Sequence, residues 1–298
     1  MKSRKLRAGK LHVDRFRVRP GRKVDLQRWD TRVADLYSDE ADAQRQLAVQ
    51  VARTSELQDM FYASDQHSLL LIFQAMDAAG KDGAVKHVLS GVNPQGCQVS
   101  SFKQPSFEEL DHDFLWRTTL KLPERGRIGV FNRSYYEEVL VARVHPEFLA
   151  AQRLPPEPKP DSKEFWRARM RSIAEYEAHL HRNGTVIVKF FLHVSKDVQR
   201  ERFLERIDHP EKNWKFNIGD VEERRFWSEY MHAYGQALSA TSTLDSPWYV
   251  IPADDKKNAR IIMSGVVNQV LESLDLAYPK LDKKRLAELK TARTLIEE

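Results

Sequence analysis

The sequence holds one cysteine in 298 residues, Cys97. That excludes an internal disulfide framework and fits a reducing compartment. Cys97 sits in the polar stretch Asn93-Pro94-Gln95-Gly96-Cys97 with no candidate base beside it, so it reads as a structural bystander. No apolar run approaches the ~18–20 residues that a membrane span needs. The best candidate, Thr185 to Val194, is short and carries Lys189. The ten histidines show neither a His-Glu-x-x-His pattern nor cysteine partners, which argues against a zinc centre. There is no repeat of roughly 20–50 residues. No apolar segment follows the N-terminal charges, so no secretory signal is expected and the chain reads as cytoplasmic.

What is present is an ordinary globular composition, 41% hydrophobic and 31% charged, enough for one sizeable core. The net charge of +5 is uneven: residues 1–23 hold ten Lys or Arg against the single acid Asp14. Beyond residue 23 there are 38 basic and 42 acidic residues, so the body is slightly acidic. The organisation expected is a basic arm over 1–28 and a single domain over 29–298. The arm is either a solvated segment packed on a neighbour or a binder of polyanions.

Along the body, strands alternate with helices. Helices are expected over Asp39–Tyr62, Val85–Leu89, Tyr135–Val144, Ser162–Arg182, Ser195–Ile207 and Lys256–Leu276, with another starting at Pro279. Ser106 with Glu109, and Asp220 with Glu223, have the spacing of capping boxes, and Phe114, Leu115 and Leu122 are placed on the helix after the first. Strands are expected at Ser68–Phe73, Gln98–Phe102, Arg127–Phe131, Thr185–Val194 and Trp248–Ile251. The proline-rich stretch Leu154 to Pro160 is an exposed connection that no helix can cross. This alternation predicts an α/β fold, a parallel sheet covered on both faces, with ligands at the carboxyl ends of its strands.

Three segments fall at such ends. The first strand runs into Gln74-Ala75-Met76-Asp77-Ala78-Ala79-Gly80-Lys81-Asp82-Gly83. Gly80-Lys81 matches the end of a phosphate loop, GxxxxGK[ST], while Ala75 replaces its first glycine and Asp82 its Ser/Thr. Ala78, Ala79, Gly80, Asp82 and Gly83 would offer backbone N–H groups to phosphate, and Lys81 a point charge. Asp77 and Asp82 make sense beside phosphate if magnesium lies between them. The bland alternative is a solvated strand-to-helix turn. At the second strand end, Arg133 suits a phosphate clamp and Asn132 and Glu137 an acceptor or metal-bound water; alternatively Arg133 and Glu137 simply pair at (i, i+4). The third segment, Asp197 to Lys215, puts Arg202 and Arg206 one turn apart before Pro210, with Lys212 and Lys215 following. It reads as a lid over about 200–218, or as a solvated charged helix.

Four stretches carry a family resemblance: Asp77 to Gly83, Phe131 to Glu137, Glu205 to Lys215, and Trp248 to Lys256. With them the chain resembles polyphosphate kinase type 2 over roughly residues 30–280. The resemblance implies a P-loop kinase-like αβα sandwich with a helical lid, Mg²⁺ dependence, inorganic polyphosphate and a nucleotide (AMP, ADP or ATP) as partners, and a homo-oligomer, dimer or tetramer. Carried over by position, Asp77, Lys81 and Arg133 belong to the phosphate site, Asp77 also to the metal, and Arg202 and Arg206 to the lid. Asn132 with Glu137 resembles the subgroup accepting both AMP and ADP. Lys86, Lys103 and Lys212 would line a polyanion channel. Two other readings stay open: an ATP-dependent nucleoside monophosphate kinase of the same fold, and a non-enzymatic polyanion binder working through the arm. No nucleic-acid-binding motif is visible.

Overall fold

A computed structural model describes residues 11–297. Five strands, β1 (Ser68–Ala75), β2 (Cys97–Ser101), β3 (Ile128–Asn132), β4 (Thr185–His193) and β5 (Trp248–Pro252), form one sheet in the order β2-β3-β1-β4-β5. Every pairing is parallel. All eight residues of β1 are buried. That is why its sequence is continuously apolar rather than alternating, as a strand covered on both faces must be. From β1 the chain crosses to one side of the sheet, and from β4 to the other. The carboxyl end of β1 is therefore a topological switch point, where α/β sheets bind ligands.

The principal helices are α1 (Glu40–Ser64), α2 (Lys81–Val88), α3 (Lys163–Arg182), α4 (Lys196–Asp208), α5 (Ile218–Glu223), α6 (Trp227–Thr241), α7 (Lys256–Glu272) and α8 (Lys283–Glu297), of which α5 and α8 bury no residue. Helix α7 packs on α1 and α2, and α3 packs on α6 and β4. Helix α3 starts where Ser162 accepts from the Phe165 N–H. It stops before Gly184, whose φ of +87° suits glycine.

Several local expectations change. Helix α2 begins at Lys81, because Gly80 at φ +102° turns the chain directly into it. The Ser106–Glu109 capping box forms, but its helix ends at Leu110, and Phe114 and Leu122 lie outside helices. Asp113 accepts from the Leu115 N–H there, a local bond that competes with helix continuation. Helix α5 is capped by Asn217 rather than Asp220, which lies inside its first turn. The final helix starts at Lys283, not Pro279.

Residues 1–10 of the basic arm lie outside the described residues. The remainder packs on the body. Val13, Phe16, Val18, Val24 and Leu26 are buried while Arg15, Arg19, Arg22 and Lys23 face solvent. The Val18 N–H donates to Trp248 O at 2.8 Å, and Arg17 makes an antiparallel bridge with Tyr249, so the segment borders the β5 edge.

Candidate active site

The loop between β1 and α2 has its polar groups sorted by direction. Each carbonyl from Ala75 to Gly80 has a donor. Lys81 Nζ donates to Ala75 O at 2.9 Å, the Ala79 N–H to Met76 O at 3.3 Å, and the Ala84 N–H to Gly80 O at 3.0 Å. Gln199 Nε2 donates to Asp77 O at 2.9 Å; Arg202 Nη1 donates to Ala78 O at 3.2 Å and Ala79 O at 2.9 Å. The N–H groups of Asp77, Ala78, Gly80, Lys81, Asp82 and Gly83 donate to nothing among the described residues. A loop with its acceptors satisfied and its donors free, at a helix N-terminus, is an anion cradle. Ala78 at φ +58° and Gly80 at φ +102° supply the left-handed turns that nest requires.

The end of β3 faces this cradle, since Phe73 is in register with Asn132. Arg133 is held at φ +62°, a strained conformation for arginine, and its N–H donates to Phe73 O at 3.1 Å. Its guanidinium lies 3.2 Å from Asp77 Oδ1 and 3.7 Å from Glu137 Oε2. Asn132 Nδ2 donates to Asp82 Oδ1 at 2.8 Å. Burial pushes the Glu137 carboxyl above the usual carboxylate range, against the pull of Arg133 and Lys81. Burial pulls the Lys81 ammonium down, with Asp77 opposing. The Arg133 guanidinium is held charged, chiefly by Glu137.

Two groups that the sequence did not assign to the site join it: Asp220, read there only as a helix cap, and Tyr234. Asp220 of α5 is raised by burial and by the nearby Asp77, and pairs with Arg206 at 3.2 Å. Tyr234 of α6 is buried within electrostatic reach of Glu137, Arg133 and Asp77, and burial holds its hydroxyl protonated. Both arrive from the far side of the chain, so no local motif marks them.

The described residues contain no group of three His, Cys, Asp or Glu arranged to hold a metal ion. Asp77 nevertheless suits a cation that arrives with phosphate. One oxygen meets Arg133, and the other has no hydrogen-bond partner among the described residues. Mg²⁺ is commonly held by one or two carboxylates with phosphate oxygens completing its shell.

The family model for polyphosphate kinase 2 matches residues 37–280. The chain belongs to the polyphosphate kinase 2 family. A Rhodopseudomonas palustris protein named ADP-polyphosphate phosphotransferase is 59% identical over 280 residues, covering 94% of this chain and 96% of that one. A Meiothermus ruber protein named AMP/ADP-polyphosphate phosphotransferase is 43% identical over 269 residues, with 90% and 96% covered. The crystal structure of polyphosphate kinase 2 from Arthrobacter aurescens superposes with a TM-score of 0.85 at 39% identity, covering 96% of each chain.

In this polyphosphate kinase 2 fold the predicted residues separate into groups. Asp77, Ala78, Ala79, Gly80, Lys81, Asp82, Gly83, Asn132, Arg133 and Glu137 come together at the ends of β1 and β3, but Ala79 offers phosphate no N–H, because the turn spends it on Met76 O. Arg202 does not project over the site. It is buried, and besides the loop carbonyls its Nη2 donates to Ala253 O at 2.8 Å and Asp254 O at 3.1 Å. All its contacts are carbonyls behind the cradle, so it braces the loop and does not cover phosphate. The reason is the face of α4 it occupies, towards the sheet. Arg206, one turn further, leaves the sheet and meets Asp220 and the Lys215 carbonyl. Lys86 and Lys103 are exposed on α2 and after β2. Lys212 pairs with Glu205 at 3.3 Å. Two further cations join on α7. Lys256 is pulled down in pKa by burial and by Arg202, Lys212 and Arg260 nearby. Arg260 lies beside Gly83, where an added Cβ would sit 3.6 Å from its Nη2. No helix among the described residues is long and apolar enough to cross a membrane.

Proposed function

We propose that the site transfers a phosphoryl group between inorganic polyphosphate and a nucleotide, with AMP and ADP as acceptors. The observation that carries this reading is the sorting of the loop: N–H groups of Asp77, Ala78 and Gly80 to Gly83 free, carbonyls capped from behind. Such a cradle takes phosphate of any parent molecule. The polyphosphate donor is supported by the names of both relatives and by the run of cations Arg260, Lys256 and Lys212, which starts beside Gly83 and suits a long polyanion.

In the forward direction, a terminal phosphate oxygen of the nucleotide bonds to the terminal phosphorus of the chain. The bridging P–O bond to the next phosphate breaks, and its electron pair leaves on the shortened chain. The nucleophile is already an anion near neutral pH, so positioning and charge neutralisation supply most of the catalysis. Lys81 and Arg133 neutralise charge on the transferring group. Asp77 would hold Mg²⁺ together with phosphate oxygens, and the bound ion would supply further neutralisation. Asn132 presents a neutral amide to the acceptor side and keeps Asp82 hydrogen-bonded. An aspartate there would set two carboxylates against each other, which disfavours a second anion.

The acceptor assignment is tested with purified protein, Mg²⁺ and long-chain polyphosphate, given AMP or ADP in separate reactions. Product from both supports the dual reading. ATP from ADP alone removes AMP from it, and the role given to Asn132 with it.

A further inference from the structure

We propose that Gln199 and Arg224 form a positioning relay that ties the lid to the peptide of Asp77. Gln199 is 1% exposed on the sheet-facing side of α4. Its Nε2 donates to Asp77 O at 2.9 Å, and its Oε1 accepts from Arg224 Nη1 at 2.9 Å. These two partners fix the amide's orientation: a carbonyl needs a donor and a guanidinium an acceptor. Arg224 follows directly after α5, and its Nη1 also donates to Lys196 O at 2.6 Å. Helix α5 carries Asp220, the partner of Arg206. Helix α4 thus touches the phosphate loop through two side chains, Arg202 at Ala78 and Ala79 and Gln199 at Asp77, and only the second falls on the residue whose carboxylate meets Arg133.

The consequence is directional. With its carbonyl held from behind, the Asp77 peptide keeps its N–H facing the cradle and its side chain facing Arg133. If the donor is lost, that peptide can rotate, and both functions move together. If Arg224 is lost, Gln199 can turn its amide away. Misplacement of about 1 Å at a reacting centre costs roughly 10²-fold in rate. The relay rests on the phosphotransfer reading, which wild-type turnover in the same assay tests separately.

The discriminating variant is Gln199→Glu. A glutamate keeps the contact with Arg224 and, assayed at about pH 8, above the usual carboxylate range, cannot donate to the Asp77 carbonyl. The relay predicts a fall in kcat of about 10–100-fold with nucleotide KM within about twofold of wild type. Melting temperature should change little. Arg224→Met should lower kcat in the same direction, and Gln199→Leu with Arg224→Met together should be no slower than Gln199→Leu alone, since a shared relay is lost only once. Wild-type kcat in Gln199→Glu would overturn the proposal. So would losses that multiply in the double variant, or kcat losses that merely follow melting temperature across the set.

Discussion

At the ends of β1 and β3, burial pushes the Glu137 carboxyl up and the Lys81 ammonium down. Glu137 is the clearest case: its carboxyl is raised by burial although Arg133 and Lys81 both favour the anion. A raised folded-state pKa means the folded protein binds that proton more tightly than the unfolded chain. Stability is therefore lost as pH rises from the ordinary glutamate range, near ~4.3, through the raised value, and the cost is complete above it. Glu137→Gln is expected to melt higher than wild type at about pH 8, with the gain shrinking towards about pH 4, while its turnover falls. Melting curves at the two pH values check this; a difference independent of pH would contradict it. Lys81 is placed to act on the transferring group, and Lys81→Ala is expected to lower kcat by ~10²–10³-fold with the fold intact. Much of this was readable from residue identity. Gly80, Lys81 and Arg133 name their chemistry in sequence. Asp220 and Tyr234 do not, because only the tertiary fold brings them to Asp77 and Glu137.

The turn carrying Arg133 is anchored by a polar core between α3, α6 and β4. Lys189, fully buried in β4, contacts Glu177 of α3 and donates to Tyr136 Oη at 3.0 Å and Thr241 O at 2.8 Å. Tyr135 and Tyr136, which follow Arg133, donate to Glu177 Oε1 at 2.9 and 2.8 Å. Every member has a partner, the condition for such a network to be tolerated. Lys189→Met leaves Glu177 without its counter-charge and is expected to cost about 3–5 kcal/mol; adding Glu177→Leu should return only part of it, because the buried Tyr135 hydroxyl then loses its acceptor. Urea titrations of the single and double variants check this, and equal losses in both would contradict it. In sequence, Lys189 looked like an interruption of an apolar strand, since its partner lies on a different element. Helix α4 shows the same limit. The four-residue spacing of Arg202 and Arg206 placed them on one side of a helix, but not which side faced the sheet. The helix after Ser106 was overextended because the Asp113 turn competes locally with a continuing apolar pattern.

For the whole molecule, the alternation of strands and helices was enough to give the parallel sheet, since strands buried on both faces read as unbroken apolar runs. Charge was a poorer guide to organisation. The boundary drawn at residue 28 followed the basic residues, whereas Val13, Phe16 and Val18 between them reach the core. Phe16 is 4% exposed, and Phe16→Ala is expected to cost roughly 3–5 kcal/mol, read from urea unfolding. A loss under about 0.5 kcal/mol, as for a surface site, would mean the segment is dispensable to the fold. The central claim is that the cradle takes its phosphoryl group from polyphosphate. The most direct measurement is nucleotide formation by the purified chain with Mg²⁺, with polyphosphate as sole donor in one reaction and ATP as sole donor in the other. The account predicts ATP from ADP and polyphosphate. Turnover of a nucleoside monophosphate only when ATP is supplied would contradict it.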